Sequence, residues 1–98
     1  MLKKNYLKKG QTCRVTFKYG NEENAKTAVL VGDFNDWNME ACPMKRLKEG
    51  SFSVTVPLTV GQSYRFRYVL DGHTWVNEYE ADSYIGNTFG GDDSLVSV

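Results

Sequence analysis

The side chains of this sequence best suited to recognition chemistry are its two tryptophans, Trp37 and Trp75, and two nearby arginines, Arg65 and Arg67. An indole ring is a flat apolar surface, and the C–H groups of a glucose ring form a matching apolar face. Guanidinium groups supply directional donors for sugar hydroxyls. These residue types indicate a sugar-binding surface, provided that both rings point outward and lie close together.

The surroundings of Trp37 favour an exposed position for its ring. An apolar run ending at Val31 leads into a polar segment, in which Asp36 and Asn38 flank the tryptophan. Asp and Asn are frequent in turns, so the indole is expected at the edge of a loop. The alternative interpretation is that Trp37 caps the hydrophobic core, as many tryptophans do.

Few residues in the sequence are arranged for catalysis. His73 is the single histidine and follows the Asp71-Gly72 turn, where a solvated side chain is expected. Neither a nucleophile motif nor a glycine-rich loop opening a helix is present, and the carboxylates are scattered. The spacing of Cys13 and Cys42 matches no metal-binding pattern, and Cys13 has the position of a core residue. We therefore expect no catalytic residues, no metal and no cofactor.

Composition and charge exclude several classes of protein. The chain has 98 residues and a formal net charge of zero, so it lacks the basic footprint of nucleic-acid binding. No segment has the pattern of a secretory signal or a membrane span, which predicts a cytoplasmic protein without membrane contact. The lysines at positions 3, 4, 8 and 9 predict a flexible basic segment over residues 1–11, followed by one domain over residues 12–98.

The elements that must position these side chains are predicted to be strands. Apolar residues alternate with polar ones with a period of two, and no long window shows the helical period near 3.6. Glu49-Gly50 predicts a hairpin turn. About seven short strands at this spacing indicate a sandwich or barrel. The predicted strands cover residues 12–19, 27–31, 44–48, 51–57, 64–70, 74–76 and 95–98.

Three segments resemble the motifs of one family. The segment VGDFNDWN (31–38) is similar to "G-(S/D/E)-F-N-x-W", YRFRYVLDG (64–72) to "Y-x-(F/Y)-(K/R)-(F/Y)-x-x-D-G", and NTFGGDDSL (87–95) to "N-x-F-G-x-x-N-S-V". The sequence thus resembles the isoamylase N-terminal, or early-set, domains. These include domains of glycogen branching and debranching enzymes and the glycogen-binding domain of AMP-activated protein kinase β subunits. The resemblance implies an all-β, immunoglobulin-like early-set β-sandwich.

The resemblance also implies a set of binding residues. The family's stacking indoles correspond to Trp37 and Trp75, and its basic residue before the Asp-Gly turn corresponds to Arg67. Residues of the closing loop correspond to Phe89 and Asp93. The family commonly has Asn where this chain has Asp93, and an ionised Asp accepts hydrogen bonds but cannot donate them.

Two functions from different classes remain open. The resemblance implies a non-catalytic module that binds α-1,4-linked glucan such as glycogen or maltooligosaccharide. The alternative is a structural or protein-interaction domain, free-standing or accessory to a glycoside hydrolase, with no significant sugar binding. An enzyme partner fits both hypotheses. Outward-facing, adjacent indoles would favour the first, and burial of either ring between the sheets would favour the second.

Overall fold

The fold consists of strands joined by short connections. The computed structural model describes residues 1–8, 10–88 and 90–98. Within these ranges no helix is long and apolar enough to cross a membrane. The described part of the chain forms nine strands and one short 3-10 helix, in the order β1 (Leu2–Tyr6), β2 (Thr12–Tyr19), β3 (Ala28–Gly32), the 3-10 helix (Asp33–Asn35), β4 (Lys45–Arg46), β5 (Phe52–Thr59), β6 (Ser63–Leu70), β7 (Thr74–Val76), β8 (Ser83–Gly86) and β9 (Asp92–Ser97).

The strands form two antiparallel sheets. The first sheet has the order β1-β2-β5-β4, and the second has the order β3-β6-β9-β8, with β7 also paired to β6. The prediction of an all-β, immunoglobulin-like sandwich is confirmed. The described ranges hold nine strands rather than about seven, because β1 and β8 were not among the predicted strands. The hairpin at Glu49-Gly50 is also confirmed, since β4 pairs with the start of β5.

The inward faces of the two sheets form the core. Cys13, Val15, Phe17 and Tyr19, which alternate along β2, are all almost fully buried. The ring of Phe17 meets that of Phe66 on β6 edge to face, with 5.0 Å between centroids. A period-two pattern places every second residue on one face, so the alternation in the sequence decides which side chains fill the core.

One strand lies within residues 1–11, the segment that the lysines predict to be flexible. Leu2–Tyr6 forms β1, which pairs along its length with β2, and Leu2 packs against the core. The Lys4 ammonium lies 2.7 Å from the Asp82 carboxylate. Lysines are suited to an edge strand, because their charge discourages pairing with another chain, and so a lysine-rich segment need not be a tail.

One edge of β6 is shared by two strands. β9 pairs with Ser63 to Phe66, whereas β7 pairs with Tyr68 to Leu70. Arg67 lies between the two pairings, at the point where β7 and β9 diverge. The outer face of the second sheet is therefore interrupted beside Arg67.

Gly32, at the end of β3, lies where no larger residue fits. A Cβ atom there would be 2.4 Å from the Arg65 carbonyl oxygen and 2.9 Å from the Cβ of Phe66. The backbone of Gly32 is extended, with φ of −178°, so the requirement is space and not conformation. The glycine of the VGDFNDWN segment thus permits close contact between β3 and β6.

We predict that Gly32→Ala destabilises the fold by about 1–3 kcal/mol, because the closest atom belongs to the backbone and cannot rotate away. Denaturant unfolding measures the loss. Gly20→Ala is the matched control, since a Cβ at Gly20 meets no atom within 4 Å. Equal stability of the two variants would contradict the steric account.

The Asp71 carboxylate anchors the turn between β6 and β7 to the segment that precedes β3. It accepts hydrogen bonds from the backbone N–H groups of Lys26 at 2.8 Å and Thr27 at 3.0 Å. These two bonds lower the pKa of Asp71 below its usual value. The bond from Thr27 makes the larger contribution, followed by the bond from Lys26. A carboxyl with a lowered folded-state pKa stabilises the fold above its unfolded pKa, and this contribution is lost as the pH falls through the folded pKa.

We predict that the wild-type free energy of unfolding falls more on acidification below about pH 4 than that of Asp71→Asn, which cannot ionise. Urea unfolding across this pH range measures the difference. Asp36→Asn removes the same charge at another left-handed position and controls for the loss of one negative charge. Parallel profiles for wild type and Asp71→Asn would refute the prediction.

Candidate functional site

A groove on the outer face of the second sheet contains most of the predicted site residues. It has a volume of about 540 Å³ and is lined by Trp37, Arg67, Trp75, Asn87 and Asp93. Four of these five side chains were named from the sequence, and the structure brings them together from four separate parts of the chain. Phe89, the remaining predicted residue, lies outside the described residues.

The groove rests on a second layer of buried apolar side chains. Val31 is paired with Arg67, and Val69 with Trp75, so the valines share the outer face with these groove residues. Both valines are fully buried, although neither belongs to the core between the sheets. The outer face of the second sheet is therefore itself packed beside Arg67 and Trp75.

A tight loop after β3 carries Trp37. The Asn35 side chain donates to the Leu30 carbonyl at 3.0 Å and accepts from the Gly32 N–H at 3.1 Å. The Trp37 N–H donates to the Gly32 carbonyl at 2.9 Å. Asp36 and Trp37 both have left-handed backbone angles, with φ of 55° and 58°. Positive φ is uncommon for a bulky residue and persists only where its surroundings fix it, as these hydrogen bonds do.

The carboxylate of Asp33 orients the Trp37 ring. Its Oδ1 accepts from the indole Nε1–H at 3.1 Å, and its Oδ2 accepts from the backbone N–H of Arg65 at 2.9 Å. The Asp33 side chain therefore links the indole ring of Trp37 to the backbone of β6. Sequence reasoning missed this role, because it depends on the pairing of β3 with β6.

Trp75 and Arg67 form the opposite side of the groove. The Trp75 side chain is 42% exposed, and the Arg67 Cζ lies 6.0 Å from its ring centroid, within the range of a cation–π contact. Arg67 Nη2 donates to the Trp75 carbonyl at 3.4 Å. The Arg67 Nε–H is buried and has no acceptor among the described residues. An unmet buried donor is costly, so an acceptor supplied by a ligand would be favourable here.

Asp93 and Asn87 supply the polar end of the groove. Asp93 is 7% exposed, and its Oδ1 accepts from Asn87 Nδ2 at 3.3 Å. Arg65 Nη1 lies 3.8 Å from the other carboxylate oxygen. Asn87 was not named from the sequence, although it is the first residue of the closing NTFGGDDSL segment. Its amide can both donate and accept, which an ionised Asp93 cannot.

A buried polar network joins the two strands that share the β6 edge. The Ser94 hydroxyl donates to Asn77 Oδ1 at 2.8 Å and accepts from the Glu78 N–H at 2.9 Å. The Tyr68 hydroxyl donates to Glu78 Oε1 at 2.8 Å. Burial, together with the Glu78 charge, raises the pKa of Tyr68, so its hydroxyl stays protonated. This network fixes the segment after β7 against β9 and thereby sets the position of Trp75 relative to Asp93.

The histidine and the two cysteines are not among the residues that line the groove. His73 is exposed in its turn, with Nδ1 3.0 Å from the Thr74 hydroxyl. Cys13 is buried, Cys42 is half-buried, and both are free thiols. The described ranges contain no group of three or more His, Cys, Asp or Glu residues placed to hold a metal ion.

Comparison with known families identifies the fold. The model of carbohydrate-binding module 48, the isoamylase N-terminal domain, matches residues 6–85. The chain belongs to this family. Trp37, Arg67 and Trp75 lie inside the matched range, whereas Asn87 and Asp93 lie beyond its end.

Two curated relatives are enzymes named for an α-glucan. The 1,4-alpha-glucan branching enzyme GlgB of Deinococcus radiodurans is 47% identical over 56 residues, which are 56% of this chain and 8% of that enzyme. The GlgB of Novosphingobium aromaticivorans is 35% identical over 63 residues, which are 62% of this chain and 9% of that enzyme. The matched residues of the module thus span less than a tenth of either enzyme.

We predict that Asp33→Asn lowers stability by about 0.5–1.5 kcal/mol and shifts the indole N–H resonance of Trp37, because one carboxylate serves two donors. Two-dimensional ¹H–¹⁵N NMR and urea unfolding measure the effects. Asp36→Asn removes the same charge from the same loop and should leave that resonance nearly in place. An unmoved resonance in Asp33→Asn would mean that the carboxylate does not orient the ring.

Proposed function

We propose that this module binds α-1,4-linked glucan, such as glycogen or maltooligosaccharide, without catalysing a reaction on it. Glucose rings stack on Trp37 and Trp75, and Arg67, Asn87 and Asp93 bind their hydroxyls. The observation that carries the proposal is the meeting of both tryptophans in one groove on a packed sheet face.

The chemistry of the groove suits a sugar ring. Its indoles supply apolar surface, whereas Arg67 supplies donors, Asp93 supplies acceptors and Asn87 can act as both. A sugar hydroxyl donates and accepts, so it can serve all three partners. Stacking on an indole contributes about 1–2 kcal/mol for tens of Å² of apolar surface. The expected affinity lies between mM and µM, about −4 to −8 kcal/mol, and a long polymer gains further by avidity.

The exposure of the tryptophans argues against a module that has lost its sugar site. Trp75 is 42% exposed, and Trp37 is half-buried and lines the groove. Neither belongs to the inter-sheet core, where Phe17, Phe66 and Tyr68 lie instead. The alternative function, a purely structural or protein-interaction domain, would not require two indoles on one outward face.

The relatives support α-glucan as the ligand. Both are named as branching enzymes of 1,4-alpha-glucan, and the module corresponds to a small part of each. We infer that it serves an enzyme acting on the same polymer by holding the substrate nearby. A cytoplasmic location and the absence of nucleic-acid and membrane partners stay predictions.

We predict that glycogen in a native gel retards the wild-type module and that Trp37→Ala or Trp75→Ala abolishes most of the retardation. Losing one stack of about 1–2 kcal/mol weakens binding roughly 5- to 30-fold. Tyr6→Ala is the control, because it removes a 52% exposed aromatic ring from the first sheet.

Circular dichroism of each variant separates loss of binding from loss of folding. The alternative, a protein-interaction domain, would give a folded wild type whose mobility glycogen leaves unchanged. Retention of full retardation by both tryptophan variants would also refute the proposed site.

A further inference from the structure

The face of the second sheet that carries the groove continues past it to the edge strand β8. Asp93 in the groove is directly paired with Ile85, and Arg65 is paired with Leu95, which in turn pairs with Ser83. Directly paired residues point to the same side of a sheet. Ile85, Leu95 and Ser83 therefore lie on the groove's face; we call these three residues the β8 patch.

The β8 patch is an open apolar surface beside a hydroxyl. Ile85 is 38% exposed, although it is a large aliphatic residue on a strand whose residues are all exposed. Leu95 is half-buried next to it. An aliphatic floor with a neighbouring serine offers the same combination as the groove, namely apolar contact for C–H groups and a polar partner for hydroxyls.

Arg65 connects the β8 patch to the groove. Its backbone N–H donates to the Asp33 carboxylate, which also accepts from the indole of Trp37. Its Nη1 atom lies 3.8 Å from the Asp93 carboxylate. The Arg65 side chain is 39% exposed, and a guanidinium has five N–H donors, so donors remain for a ligand. The boundary between the two surfaces is therefore polar and able to bind hydroxyls.

We infer that the β8 patch is a further subsite, which binds additional glucose units of the same α-glucan chain that occupies the groove. The inference rests on the proposed function. From Arg67 on β6 to Ile85 on β8 the sheet spans two strand spacings, about 10 Å, which exceeds the width of one sugar ring. A chain that leaves the groove across β9 meets Ile85 and Leu95 next.

Titration with maltotriose and maltoheptaose, by isothermal calorimetry, tests the subsite. The wild type should bind maltoheptaose more tightly. Ile85→Thr keeps a β-branched side chain suited to a strand but removes apolar contact. We expect it to weaken maltoheptaose binding about three- to tenfold and to leave maltotriose binding unchanged. Leu7→Thr is the control, because Leu7 is 43% exposed and lies outside the second sheet.

The outcomes separate this inference from the proposed function. If the wild type binds neither sugar, the proposed function fails. If it binds both and Ile85→Thr has no effect, or weakens both equally, the β8 patch is not a subsite, and a protein occupant becomes the alternative. The methyl resonances of Ile85 give a second measure: they should shift with maltoheptaose and not with maltotriose, and equal shifts with both would overturn the inference.

Discussion

The candidate site depends on the way in which β6 shares one edge between two partners. β9 and β7 pair with consecutive parts of that edge, and Arg67 lies where they separate. A single continuous partner strand would place an outward side chain beside Arg67 and close the surface. The division opens the face instead, with Trp75 on one side and Asp93 on the other. The network of Ser94 and Glu78 keeps the separation fixed, because its buried polar groups lose their partners if the strands move.

The other side of the groove is built by local backbone chemistry. Gly32 lets β3 approach β6 closely, Asn35 closes the loop that follows, and Asp33 binds both the indole of Trp37 and β6. Each step depends on the previous one, since Asp33 reaches the backbone of Arg65 only because β3 and β6 are in close contact. The loop therefore holds Trp37 against the same strand that carries Arg67.

The sequence predicts the fold well wherever the burial pattern follows the period of a strand. β1 and β8 were missed, because edge strands of lysine or mixed polar residues lack that alternation. The proline at position 57 predicts the end of a strand, but β5 continues through it to Thr59. A proline can lie in a strand where its edge is unpaired, because it has no N–H to donate. The outer edge of β5 is unpaired at Pro57, since β4 pairs only with Phe52 and Ser53. Trp37 and Trp75 could be named from adjacent turn residues, whereas the role of Asp33 depends on strand pairing that sequence spacing does not reveal.

The hydrogen bond between Asp33 and the indole of Trp37 determines what this ring can distinguish. With its N–H already bound, Trp37 offers a neighbour only its aromatic face. A face-on contact responds to the flatness and apolarity of the neighbour's face, and it makes no directional hydrogen bond to a hydroxyl. If the module binds glucan as proposed, directional contacts to hydroxyls fall to Arg67, Asn87 and Asp93, and the contact with Trp37 would let a repetitive polymer shift along the groove.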